Sequence, residues 1–416
     1  MKAEPRVLGA CWAPSPDPRW TLRRIKDVAT IINGYPFDAS FFDAAGIYPL
    51  VRIRDLDSET TETRYSGEWV EAAAIDAGDV LIGMDGDFNV GVWKGGRALL
   101  NQRMCCVRAE PLMRRFLSYV LPTPLKVAND LTYSTTVKHL SSLDVERITF
   151  AVPPENLLEP TLNFLDEQTA RIDALIAEKE RLVSTIEEYW RSYLYSSMQS
   201  AACLGLESPS GEWALEPVKR VCASIQTGRT PSGARDDCFT EDGVPWVTPG
   251  DMDDIFVKSS GKSVSYVALH DGEAVLYPPG STLLVGIGAT LGTVSNARVA
   301  VSANQQINIL VPDPRKIDAL FLTFAIKANQ DQVRLSAGAA TLPILNQERT
   351  GRLKIAIPRM EQQIATRSQL LRLKENANRL LSHVGRHISI LREYRSSLIS
   401  AAVTGQLDID NFGIGG

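Results

Sequence analysis

Four stretches of this 416-residue chain carry residue types that could do chemistry, and none has them at a working spacing. Val285-Gly-Ile-Gly-Ala-Thr-Leu-Gly292 has the glycines of a phosphate-cradling loop. Counted from Gly286 or Gly288, however, neither Gly-x-Gly-x-x-Gly nor a Gly-Lys-Ser/Thr ending is completed, so a tight turn is expected. Asp85-Gly-Asp-Phe-Asn89 has the opening acids of a calcium loop, but Val90 stands where glycine is needed and Gly96 where the bidentate acid belongs. Val152-Pro-Pro-Glu155 and Tyr277-Pro-Pro-Gly280 lack both ends of the Asn/Asp-Pro-Pro-Tyr/Phe loop with which an N6-adenine methyltransferase holds its target amino group. The six cysteines (Cys11, Cys105, Cys106, Cys203, Cys222, Cys238) form no Cys-x-x-Cys pair and read as reduced, mostly buried thiols. Four histidines leave little room for His-rich metal chemistry. No metal site, ATPase motif or catalytic residue is expected, which leaves recognition.

Composition bounds what could be recognised. With 44% hydrophobic, 22% charged and 7% aromatic residues the chain is an ordinary soluble protein of two or three domains. No apolar run of membrane-spanning length and no signal-peptide layout is seen, so a cytoplasmic protein is the expectation. Forty-four basic against 49 acidic side chains give a net charge of −5, which argues against coating a polyanion by bulk charge. Nucleic-acid binding would need local basic clusters.

The elements that would position such clusters come in two copies. Trp20-Thr-Leu-Arg-Arg-Ile-Lys-Asp-Val-Ala recurs as Trp213-Ala-Leu-Glu-Pro-Val-Lys-Arg-Val-Cys. Leu81-Ile-Gly matches Leu284-Val-Gly, Asn101-Gln102 matches Asn304-Gln305, Val152-Pro153 matches Ile357-Pro358, and Glu188-Tyr189 matches Glu393-Tyr394. One order across five matches marks an internal repeat. Each copy opens with short β-branched segments cut by Gly and Pro, such as Gly78-Asp-Val-Leu-Ile-Gly and Ser281-Thr-Leu-Leu-Val-Gly, which read as strands and turns. Each then runs proline-free, from Pro160 to Pro209 and from Pro358 to the end, allowing two long helices of roughly 40 residues. Taking Leu165 as position a places Leu165, Ile172, Leu175, Leu182, Ile186 and Tyr189 on a heptad seam. The same phase in the second copy gives Leu370, Leu373, Leu380, Val384, Leu391, Tyr394 and Leu398. A coiled coil is favoured over a core helix of a larger bundle, because uncapped helices of this length need a partner, and each is the other's obvious one.

Two passages carry a family resemblance: Phe164-Leu-Asp-Glu-Gln-Thr-Ala-Arg-Ile-Asp-Ala-Leu-Ile-Ala-Glu-Lys-Glu-Arg-Leu182 and Tyr394-Arg-Ser-Ser-Leu-Ile-Ser-Ala-Ala-Val-Thr-Gly-Gln-Leu407. Both resemble the helical regions of the specificity (S) subunit of type I restriction-modification systems. The order of Ile225-Gln-Thr-Gly-Arg-Thr-Pro-Ser232, Pro249-Gly-Asp-Met252, Asn304-Gln-Gln306 and Ala337-Gly-Ala-Ala-Thr-Leu-Pro-Ile-Leu-Asn346 is similar to that family's layout. The first copy departs from it, with Asn33-Gly-Tyr-Pro-Phe37 and Tyr133-Ser-Thr-Thr-Val-Lys138.

The resemblance implies an α+β chain with an internal pseudo-two-fold repeat, in which two mixed α/β target-recognition domains are separated by two long helices forming an antiparallel coiled coil. The expected division is 1–155, first recognition domain; 156–205, central helix; 206–358, second recognition domain; 359–410, C-terminal helix; 411–416, disordered tail. It further implies a non-catalytic reader of double-stranded DNA that recognises a bipartite asymmetric site. The implied partners are two methyltransferase (M) subunits using S-adenosylmethionine and restriction/translocase (R) subunits using ATP with Mg, in a bacterial or archaeal cytoplasm. Candidate DNA contacts are Arg52, Arg54, Lys126, Tyr133, Thr135 and Lys138 in the first copy and Arg229, Thr230, Lys258, Lys262, Arg334 and Thr341 in the second. Asn304 and Gln305 could reach adenine, but their match to Asn101 and Gln102 fits a structural polar turn equally well. One antiparallel register pairs Leu165 with Ala401, Ile172 with Tyr394, Lys179 with His387 and Ile186 with Leu380. Two other readings stay open: a coiled-coil adaptor whose β-rich domains bind protein, and a self-sufficient nuclease or methylase, for which no motif is present.

Overall fold

The computed structural model describes residues 17–56, 58–131, 139–198, 213–232, 236–252, 254–257, 260–336 and 344–409. The chain divides into two units, one of residues 1–179 with 386–416 and one of residues 180–385. The division cuts both long helices, so each unit holds a β-rich body together with part of the central helix Glu155–Met198 and part of the C-terminal helix Met360–Val403. Boundaries drawn along the sequence would instead assign each helix whole, because sequence order cannot show which body a stretch of helix packs against.

In the first unit Thr21–Arg24 pairs antiparallel with Thr149–Val152, which closes the body where the central helix begins. A four-stranded antiparallel sheet follows in the order Thr30–Asn33, Met104–Arg108, Val80–Gly83, Val90–Val92. Beside it Tyr48–Val51 runs parallel to Ala98–Leu100. The second unit repeats this plan. Ala214–Pro217 pairs with Lys354–Ile357, the sheet runs Cys222–Thr227, Ile307–Pro312, Thr282–Val285, Val294–Asn296, and Val244–Val247 runs parallel to Ser302–Ala303. The central strands Val80–Gly83 and Thr282–Val285 are buried throughout, which explains why both read as unbroken apolar runs rather than alternating ones.

Each body buries a helix on its sheet. Pro111–Val120 starts with its proline at the first helical position, where no N–H is needed, and buries Phe116, Leu117 and Val120. Ala319–Ala328 starts from Asp318, whose carboxylate accepts hydrogen bonds from the backbone N–H groups of Leu320 and Phe321. The first core continues into Leu158, Leu162 and Leu165 of the central helix and Ala402 and Val403 of the C-terminal helix. The second takes in Trp190, Leu194, Met198 and Leu370. The helices are therefore part of the two hydrophobic cores.

The central helix begins at Glu155, before Pro160 rather than after it. Pro160 sits in the second turn, where it forgoes one hydrogen bond to the first turn and leaves the rest of the helix intact. The helices run antiparallel where they meet. In the second unit Gln369 Nε2 donates to Tyr193 Oη, and the Lys374 ammonium lies 5.5 Å from the Trp190 ring centroid. In the first, Asp173 accepts from Arg395 Nε at 2.8 Å and Nη2 at 3.1 Å.

The expected seam needs correction on one of its two lines. Leu165, Ile172, Leu370, Val384 and Leu398 are buried, and Ile186, Leu373 and Leu391 are half-buried. Leu175, Leu182, Tyr189, Leu380 and Tyr394 instead face solvent. The second covered line lies one residue further along: Thr169, Ile176, Val183 and Trp190 on the central helix, and Lys374, Leu381, Ile388, Arg395 and Ala402 on the other. A step of four residues keeps the covered stripe on one side of a helix as well as a step of three does, and here both steps meet apolar residues. The register with Lys179 facing His387 falls with this shift, since His387 is exposed and Arg395 takes the place expected of Tyr394.

Candidate nucleic-acid interface

The Asn-Gln pair found by the repeat forms the same turn in both units. The Asn101 N–H donates to Val51 O at 3.1 Å and Met104 N–H to Asn101 O at 3.1 Å. In the second unit Asn304 N–H donates to Val247 O at 3.0 Å and Ile307 N–H to Asn304 O at 3.2 Å. A glycine backs each turn. A Cβ on Gly34 would lie 1.8 Å from Asn101 O, and one on Gly228 would lie 2.2 Å from Asn304 O, so only glycine allows this approach. Asn304 itself is buried and occupied: its Oδ1 accepts from Gln306 N–H at 3.0 Å, and its Nδ2 donates to Gln306 Oε1 at 3.0 Å. Asn304 is thus a structural turn residue, while Gln305 stays exposed.

In the first unit this turn borders a groove of about 670 Å³ lined by Phe37, Phe42, Arg52, Arg54, Gln102 and Arg103, among others. Arg52 lies with its guanidinium 5.9 Å from the Phe42 ring centroid. Its backbone N–H donates to the buried Asp55 carboxylate at 2.9 Å, which fixes the residue, and its guanidinium has no ion-pair partner among the described residues. Arg54 is engaged internally, donating from Nη2 to Thr63 Oγ1 at 2.7 Å and lying 3.8 Å from Asp55. Arg103 meets Asp85 at 3.2 Å, and Asp85 also contacts His139 Nδ1 at 2.8 Å. Three arginines thus line an aromatic-edged groove, and two of them, Arg54 and Arg103, each lie against an aspartate.

The remaining candidates are scattered. Lys126 is exposed on the helix Pro122–Leu131. Arg229 donates to Gly272 O and Thr230 is exposed beside it. Lys262 sits 5.4 Å from the Phe239 ring centroid on the rim of a separate groove. Arg334 packs toward Gly292, donating to Leu291 O at 3.4 Å. Tyr133, Thr135, Lys138, Lys258 and Thr341 lie outside the described residues, as does the 411–416 tail. Reading residue types missed Gln102 and Arg103, although the repeat had already marked the turn that carries them.

Other charged and nucleophilic groups are structural. Burial works to raise the pKa of Asp79, but hydrogen bonds from Arg108, the Asp76 N–H and Arg114 outweigh it and hold the carboxyl below its ordinary value. Burial pushes the Cys105 and Cys222 thiols up to about 12. The Val285–Gly292 stretch closes on itself, with Gly292 N–H donating to Val285 O at 2.9 Å and positive φ at Gly288 and Gly292. Among the described residues no group of three or more His, Cys, Asp or Glu could hold a metal, and no helix is long and apolar enough to cross a membrane.

Comparison with known proteins follows the repeat. The family described as Type I restriction modification DNA specificity domain matches residues 18–180 and again 211–379. The Type I restriction enzyme EcoBI specificity subunit of Escherichia coli is 34% identical over 183 residues, which cover 43% of this chain. The match spans 38% of that relative's length. Among solved structures, a chain from a study of complex assembly and conformational transition of the type I R-M system superposes with a TM-score of 0.70 at 16% identity. It covers 94% of this chain and 99% of that one, a likeness of fold. The HsdS subunit from Thermoanaerobacter tengcongensis aligns at 16% identity over 94% of this chain and 98% of its own, with a TM-score of 0.48.

Proposed function

The chain belongs to the type I restriction-modification DNA specificity family, and from that premise we propose that each of its two units reads one half of a bipartite asymmetric DNA site. The observation that carries this reading is the repeated body, with one Asn-Gln turn built by equivalent hydrogen bonds in each copy. An asymmetric site needs two readers that share a scaffold and differ in their side chains. The groove arginines Arg52 and Arg103 supply that difference in the first unit. The helix pair sets the separation of the half-sites: at 1.5 Å per residue a 44-residue helix is about 66 Å long, far stiffer than a flexible linker.

Two methyltransferase subunits dock on the chain and supply S-adenosylmethionine chemistry, and restriction/translocase subunits using ATP and Mg join that complex. The chain itself contributes no catalytic group, in keeping with the missing target-base and ATPase loops in its sequence. A docking surface is offered in the second unit by the solvent-facing apolar residues Leu182 and Tyr189 on one helix and Leu380 on the other. Such lines are unusual on a surface that contacts only water.

The test is reconstitution. The purified chain with its methyltransferase should methylate adenine at a two-part site, and the chain alone should transfer no methyl group. Methyl transfer by the chain alone would establish a self-sufficient methylase. Binding that ignores DNA while a protein partner is retained would favour the adaptor reading, which lacks the steep salt dependence of phosphate contacts.

A further inference from the structure

Gln102 and Gln305 occupy the same place in the two units, at the exposed tip of the Asn-Gln turn. Neither side-chain amide has a hydrogen-bond partner among the described residues. The turns beneath them are held firmly: a strand carbonyl fixes each Asn N–H, and a glycine admits the close approach behind it. A polar group held on a fixed backbone and left without a partner is placed to meet something from outside.

What it meets follows from the repeat. The half-sites of an asymmetric target differ in their bases, so side chains that read bases should differ between units. Those next to the glutamines do differ. Arg103 follows Gln102, lines the groove with Arg52 and pairs with Asp85, whereas Gln306 follows Gln305 and is tied to Asn304. The glutamine itself is common to both, and the feature common to both half-sites is the sugar-phosphate backbone. We propose that Gln102 and Gln305 are positioning residues that each donate a side-chain amide N–H to a backbone phosphate, one in each half-site, fixing the register in which neighbouring residues read bases. The inference rests on the DNA-reading function proposed above.

Charge-changing variants of the full chain, assembled with its methyltransferase subunits, test it. Gln102→Glu and Gln305→Glu place a carboxylate against a phosphate. Each should weaken binding about tenfold, the size of one lost charge-assisted hydrogen bond, on cognate and scrambled DNA alike, with the methylated motif unchanged. Gln102→Lys should keep binding and steepen its salt dependence by about one released counterion. A changed preference at a single base position would overturn the proposal in favour of base readout. Unchanged affinity of Gln102→Glu would overturn it outright. A wild-type complex that shows no site preference would instead sink the DNA-reading function itself, so the two failures are distinguishable.

Discussion

The corrected helix seam makes a paired prediction, because leucines on the covered and the uncovered line of one helix should respond differently to truncation. Leu165 is fully buried in the first unit's core beside Leu162, so Leu165→Ala removes buried methyl groups and leaves a cavity. That change should cost about 3 kcal/mol. Leu182 is 44% exposed and borders solvent, so Leu182→Ala leaves no enclosed void and should cost less than about 1 kcal/mol. The combined Leu182→Glu and Tyr189→Glu variant should likewise remain folded, since both positions face water on a helix and glutamate is a good helix former. It should nevertheless lose methyltransferase binding, as two charges would then lie in an apolar interface. Urea unfolding curves measure the first effect, and titration of the methyltransferase subunit by calorimetry measures the second. If Leu182→Ala destabilises as much as Leu165→Ala, the covered line is not the one described. If the folded double variant binds the methyltransferase normally, this apolar line is not the docking surface.

Other outcomes follow from the same structure. Asp79 has its pKa depressed in the folded chain, so its stabilisation is complete above the ordinary carboxylate range and fades as pH falls through its folded value. Asp79→Asn should flatten that acid-side slope. Asp79→Ala should cost roughly 3 kcal/mol by leaving Arg108 and Arg114 without their buried partner, read by unfolding at neutral pH. Exchanging residues 1–155 for another family member's first recognition domain should change one half-site and leave the other, and methylation mapping that found both changed would refute separate readers. Removing seven residues from each long helix should shorten the spacer by about three base pairs, from about 10 Å of helix at 3.4 Å per pair. Mapped sites with an unchanged spacer would mean that the helices do not set it. Cys105, buried with its thiol near 12, should resist alkylation in the folded chain and react once unfolded, as mass spectrometry would show.

Much of this was legible in the sequence because it depends on local pattern. Five ordered matches reveal a duplication whatever the fold, and two proline-free runs with heptad spacing reveal long helices because both signals act within a few turns. The buried apolar strands at Val80–Gly83 and Thr282–Val285 announced themselves in the same way. What the sequence left undecided were choices between equivalents. Leu175, Leu182 and Tyr189 stand directly before Ile176, Val183 and Trp190, so two adjacent apolar lines compete for one seam. Packing of Trp190 and Leu194 into the second unit's core goes with the second line, a long-range contact that no heptad count contains. Chemical type likewise marked Arg52 and Arg54 alike as DNA contacts, whereas the fold binds Arg54 to Thr63 and Asp55 and sets the Arg52 guanidinium over the Phe42 ring. Asn304 and Gln305 are neighbours of similar chemistry; the sequence could not separate them, because only the folded turn buries one side chain in its own hydrogen bonds and exposes the other.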